Sequence, residues 1–244
     1  MTGRRAFVDE SHVAATAHYL LAAVIVSEAS AEALSAATAA VRRRGRAPFH
    51  WYHELDVSRT AMIRHIAGSS DLQVVVISRP VAQGRHERAR ARCMESLLAQ
   101  LQSLDPPVRH VVFESRTQVL DKRDAAQIEG MRSSLRLLPA LRFSFETKEQ
   151  PHLWLADAVA GAESAHVQGD SRYVDLLKER LIRVRTPRGS CKQRKGQEIA
   201  GGGGQPVVAV GMGMALVLGG VAALVVAVRR LARQLDSIES RGVV

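Results

Sequence analysis

Residues 5–26 read RAFVDESHVAATAHYLLAAVIV. Residues 5–10 have the character of a strand, and residues 19–26 form a second apolar, strand-prone run. A polar stretch separates the two, so the chain opens on a hairpin. Outward from it, helical and strand-like segments alternate. Ser27 or Ser30 can cap a helix over residues 31–44, which Gly45 ends and Pro48 follows. Residues 49–55 are aromatic and predict a strand, and residues 58–67 predict a short helix closed by Gly68. Residues 72–78, LQVVVIS, are a continuous apolar run suited to a strand buried on both faces.

The alternation continues with a long amphipathic helix over residues 87–104, a strand over 108–115 (VRHVVFES) and a helix over 121–135. A strand over 141–146 and a helix over 149–166, with Pro151 in its first turn, come next. Residues 172–183 predict a last helix. Strands alternating with helices behind an opening hairpin imply an α/β domain, a mixed sheet flanked by helices.

The chain has 244 residues and a formal charge of +10, and the excess is uneven. Residues 178–195 are dense in Lys and Arg, with Glu179 their one acid. That stretch suits anionic lipid headgroups, and nucleic acid is its alternative partner. Aromatic residues make up 4% of the chain, too few to show a stacking platform for single strands. Cys93 and Cys191 form no CxxC pair, which argues against a zinc site.

Residues 206–228, PVVAVGMGMALVLGGVAALVVAV, carry no charge and are long enough for a helix to cross a bilayer. Gly201 to Gly204 precede them; Arg229, Arg230 and Arg233 follow. The expected organisation is a domain over residues 1–170, a basic, Gly-rich linker over 171–205, a transmembrane helix over 206–228 and a tail over 229–244. The N-terminus has no apolar signal-peptide core, so the expectation is a single-pass C-terminal anchor with the main domain in the cytoplasm. Gly211, Ala215, Gly219, Ala223 and Ala227 recur every four residues, a small-residue stripe through which two such helices can pair into a homodimer.

No phosphate-binding glycine loop, GxSxG elbow, HExxH or EF-hand loop is present. The candidates for chemistry are acids. Asp9 and Glu10 end the first strand, and only one of them can face a given site. Glu114 ends VRHVVFES, and Asp157 sits in the apolar helix segment HLWLADAVAGA, where an unpaired acid is costly. Glu54 lies in HWYHELD beside His50 and His53. Acids converging from separate elements can hold Mg²⁺ or Mn²⁺. The alternative for each is a surface or helix-capping carboxylate.

AFVDESH followed by YLLAAVIV, with LWLADAVAGA about 130 residues later, resembles the bacterial family known as domain of unknown function 3800. Asp9 and Glu10 match its N-terminal Asp-Glu pair. Asp157 matches the Asp of its C-terminal Gln-x-x-Asp motif, where Trp154 replaces the Gln. The resemblance spans roughly residues 4–166 and implies a ribonuclease H-like fold. It implies acids on the first strand, a later central strand and the last helix that bind two metal ions: Asp9, Glu114 and Asp157, with Glu10 and Glu54 as further ligands. The expected function is a membrane-tethered, metal-dependent nuclease acting on RNA or DNA. The alternative is a non-catalytic scaffold or adaptor that keeps the fold.

Overall fold

A computed structural model describes residues 3–42, 48–69, 72–78, 84–177 and 179–186, all within one compact unit, residues 1–190. β1 (Arg4–Val13) and β2 (His18–Ser27) form the hairpin, in a register that sets Asp9 opposite Ala22. One 3-10 turn over Ala14–Thr16 joins them, closed by Ala17 with φ 51°. Two helices follow, α1 (Ala31–Val41) and α2 (Asp56–Gly68), and then β3 (Leu72–Ser78). The chain continues through α3 (His86–Gln102), β4 (His110–Glu114), α4 (Gln118–Ser133) and β5 (Arg142–Glu146). It closes with α5 (Pro151–Val167), the short α6 (Val174–Leu177) and β6 (Leu181–Arg185).

The six strands form one mixed sheet in the order β5-β4-β1-β2-β3-β6. β2 runs antiparallel to both neighbours, β4 is parallel to β1 and β5, and β6 is parallel to β3. Alternation along β1 divides its side chains between two cores. Phe7 joins Leu20, Val24, Val112 and the helices α2, α5 and α6 on one face. Ala6 and Val8 join Leu21, Ile25, Phe113 and the helices α3 and α4 on the other. The fold is therefore α/β, a mixed sheet flanked by helices.

α5 is buried along an unbroken run from His152 to Ser164. It packs on β1 and β2 with one side and on α1 and α2 with another. A helix enclosed this way has no polar face, which is why its segment reads as nearly continuous Ala, Val and Leu. Its two acids are exceptions. Glu163, 1% exposed, is neutralised by Arg183 on β6, whose Nε and Nη2 lie 2.9 Å from the carboxylate. Asp157 belongs to the site below.

Two segments differ from the sequence expectation. Residues 49–55 form a 3-10 turn, Trp51–His53, instead of a strand. Trp51 is drawn into the core against Tyr173 and Gly161, and this inward anchoring outweighs strand propensity. Residues 172–183 are not one helix. Only Val174–Leu177 is helical, and β6 begins at Leu181 inside the segment expected to be linker. Ile182 and Val184 pack toward the α3 side and Leu181 toward the α5 side, a period of two that the intervening arginines obscure. The Gly-rich stretch, the apolar run 206–228 and the tail lie outside the described residues. Among the described residues no helix is long and apolar enough to cross a membrane.

Gly161 gives a direct check of the α5 packing. A Cβ there overlaps the Trp51 indole, whereas one at Gly130 on α4 meets nothing within 4 Å. Gly161→Ala should cost about 1–3 kcal/mol as the ring is forced aside. Gly130→Ala should stabilise by about 0.5–1 kcal/mol through helix propensity. Denaturant unfolding of the two variants measures both signs.

Candidate functional site

The parallel register sets the C-terminal end of β4 beside the middle of β1, with Val8 opposite Phe113. One residue further, Asp9 and Glu114 both turn toward the face covered by α5. Asp157 projects from that helix toward them. Lys148, two residues past the end of β5, completes the group. Its Nζ lies 3.0 Å from Asp157 Oδ2, 3.4 Å from Asp9 Oδ2 and 3.5 Å from Glu114 Oε2. Three carboxylates from three elements thus surround one ammonium at the base of a cleft of about 490 Å³.

Two of the carboxylates are held by backbone N–H groups. Asp157 Oδ2 accepts the Trp51 N–H at 3.0 Å, and His50 Nδ1 stands 3.8 Å from the same oxygen. Asp9 Oδ1 accepts the Glu10 N–H at 2.6 Å, while Asp9 Oδ2 is buried without a hydrogen-bond partner. Trp154, the residue that departs from the Gln-x-x-Asp pattern, donates its indole N–H to the Lys148 carbonyl at 2.6 Å. This bond ties the loop that carries Lys148 to α5.

The electrostatics follow from the crowding. Burial pushes the Asp9 carboxyl well above the usual carboxylate range, helped by the neighbouring Glu114 carboxylate, against the pull of Lys148. Burial also raises Asp157, followed by repulsion from Asp9, with Lys148 and the Trp51 N–H opposing. For Lys148 burial works against the charge, but Asp9, Asp157 and Glu114 outweigh it and raise its pKa.

Asp9, Glu114 and Asp157 are thus brought together as the sequence suggested; Glu10 and Glu54 are not. Glu10 points to the opposite face of the sheet, where it pairs with Arg90 and accepts the Tyr19 hydroxyl. Arg90 also reaches Asp124 at 2.8 Å, and Arg116 joins Asp124 to Glu87, so Glu10 belongs to a structural ion network on the α3–α4 side. Glu54 pairs with Arg42 in a separate groove beside Phe49 and Leu55. Sequence reasoning missed Lys148, His50 and the Trp51 N–H. For Lys148 no local pattern existed, since its place beside Glu114 follows from the pairing of β5 with β4.

The three acids offer only oxygen donors, one with an unsatisfied buried atom, and they repel one another; this suits Mg²⁺ or Mn²⁺. Among the described residues no three His, Cys, Asp or Glu side chains are drawn closely enough to ligate one ion as they stand. Lys148 occupies the space between them. A scan against protein-family models and a search of curated proteins give no match to the chain.

A carboxyl whose pKa is higher folded than unfolded binds its proton more tightly in the native state. Its stabilising effect is complete below the unfolded value, about 3.9, and is lost as pH rises through the raised folded value. Asp9→Asn keeps the neutral form at every pH. Its melting temperature should exceed that of the wild type, with a gap that widens from acid to alkaline pH and reaches roughly 2–4 °C for each kcal/mol involved. Thermal melts across pH in EDTA test this, and parallel wild-type and variant curves would contradict it.

Proposed function

We propose that the domain is a divalent-metal-dependent nuclease that hydrolyses phosphodiesters of RNA or DNA, of the ribonuclease H-like kind that the resemblance to domain of unknown function 3800 implies. The carrying observation is the convergence of Asp9, Glu114 and Asp157 from β1, β4 and α5 at the base of one cleft. The strand order β5-β4-β1-β2-β3, with β2 alone opposed, supports the same reading. So does the placement of acids on the first strand, the adjacent parallel strand and the last long helix.

In this reading Asp9, Glu114 and Asp157 would hold Mg²⁺ or Mn²⁺, which would supply an activated water and neutralise charge on the leaving oxygen. Lys148 is the internal counterion that keeps three acids tolerable in one place before the metal enters. Its ammonium then stands within reach of a phosphate oxygen at the same cleft. Trp154 and the Trp51 N–H fix the two sides of this arrangement.

The second reading, a non-catalytic scaffold, is favoured by one observation: Lys148 already occupies the space between the three acids. Residues 206–228 complete either reading as a membrane anchor, with the basic stretch meeting anionic lipid and the small-residue stripe pairing two copies.

Mn²⁺ titration of the full-length protein, followed by electron paramagnetic resonance, separates the two. The nuclease reading expects binding and cleavage of RNA or DNA, both abolished by Asp9→Asn and by Asp157→Asn. Lys148→Met should tighten Mn²⁺ binding by about tenfold or more, since a unit charge about 4 Å away is worth on the order of kcal/mol even at an effective dielectric near 20. A wild-type protein that binds no Mn²⁺ and leaves both nucleic acids intact establishes the scaffold. For the anchor, Gly219→Ile should weaken self-association in a membrane dimerisation reporter; an unchanged signal removes the stripe as an interface.

A further inference from the structure

Composition gave no sign of a stacking surface, yet the fold assembles a small one at the lip of the cleft. His50, Trp51 and Tyr52 line the cleft together, and His53 packs edge-on against His50 with ring centroids 4.8 Å apart. Tyr52 is 60% exposed, and its ring centroid lies 6.3 Å from that of His50. His50 Nδ1 is buried without a hydrogen-bond partner and stands 3.8 Å from Asp157 Oδ2. The aromatic group therefore adjoins the carboxylate cluster directly.

Its base is rigid. Trp51 sits between the exposed neighbours but points the other way, 4% exposed, with its ring edge-on to Tyr173 at 4.9 Å. The Arg59 guanidinium covers the Trp51 ring at 5.0 Å, and Arg59 Nε donates to the Trp51 carbonyl at 2.9 Å. The His53 N–H donates to the His50 carbonyl at 2.9 Å, closing the turn. An exposed tyrosine on so firm a mount loses little freedom when a ligand covers it, which is what favours aromatic residues in recognition.

The cations that line the same cleft, Lys148, Arg116 and Arg90, are each paired with carboxylates. An exposed aromatic ring beside the carboxylates that the nuclease reading gives to a phosphodiester matches a ligand whose flat base face adjoins its phosphate. The cleft volume, about 490 Å³, lies in the range of roughly 300–1,000 Å³ that holds small ligands, not a duplex. In duplex nucleic acid the base faces are stacked on each other and unavailable; in a single strand they are free.

We propose that the turn Trp51–His53 is a base-stacking subsite, in which Tyr52, backed by His50, receives a nucleobase of single-stranded nucleic acid and so places the adjoining phosphodiester over Asp9, Glu114 and Asp157. This rests on the nuclease reading for the identity of the ligand, but it concerns binding, which is measurable without hydrolysis.

The test is fluorescence anisotropy of the full-length protein in EDTA, with a short fluorescein-labelled oligothymidylate as probe and the same oligonucleotide annealed to its complement as competitor. The single strand should bind more tightly than the duplex. Tyr52→Ala should weaken single-strand binding about tenfold, the scale of one base–aromatic stack, and Tyr52→Trp should restore it. Both variants should melt as the wild type does, since Tyr52 is exposed. Equal affinity for duplex, absence of binding, or an unchanged affinity in Tyr52→Ala overturns the subsite. Binding that depends on Tyr52 in a protein that cleaves nothing with Mg²⁺ or Mn²⁺ supports the subsite and removes the nuclease reading alone.

Discussion

The structure turns on a mutual repulsion that one cation relieves. Asp9, Glu114 and Asp157 are brought into a space where water is largely excluded, and their charges oppose the approach. Lys148 lies within 3.5 Å of an oxygen from each. Without a positive charge there, β1, β4 and α5 could not present acids to one another at their present spacing unless protons were taken up. The ammonium is itself secured through the backbone, by the Trp154 indole one turn before Asp157 on the same helix. Sheet, helix and loop are thus coupled at a single point.

That coupling depends on how α5 is seated. The helix is enclosed by the sheet and by α1 and α2, so its acids need internal partners, and each acquires them from a different quarter. Glu163 receives Arg183 from β6; Asp157 receives Lys148 from the loop after β5 and an N–H from the Trp51 turn. Gly161 leaves room for the Trp51 ring that holds this turn in place. The same residue pair therefore serves the core on one side and the cleft on the other.

Much of this was legible in the chain. The hairpin was visible because two apolar runs of strand length flank a polar turn. Asp9, Glu114 and Asp157 stood out because each interrupts or ends an apolar run, where a charge needs a reason. Choosing Asp9 over Glu10 required the register, since the two differ only in which face of β1 they occupy. Glu54 followed a suggestive histidine pair, yet its partner, Arg42, is set by the tertiary approach of two loops. Lys148 lies in a loop with no periodicity, so only packing reveals its role. Residues 181–183 were read as the end of a helix because Arg183 and Arg185 mask an alternation of Leu, Ile and Val. Their strand character follows from the open edge of β3, a partner no local pattern shows.

β1, β3, β4, β5 and β6 all run in one direction, with β2 alone reversed. The chain consequently leaves β6 at the same edge of the sheet at which Asp9 and Glu114 stand. In mechanical terms, a load applied at Arg185 enters the sheet through β6, an edge strand paired only with β3. A pull directed along the strand stresses the β6–β3 ladder lengthwise, so its bonds share the force instead of opening one by one. The Arg183–Glu163 clasp passes part of that force into α5, the helix that carries Asp157. One ion pair thereby links the last described strand to the helix that carries Asp157.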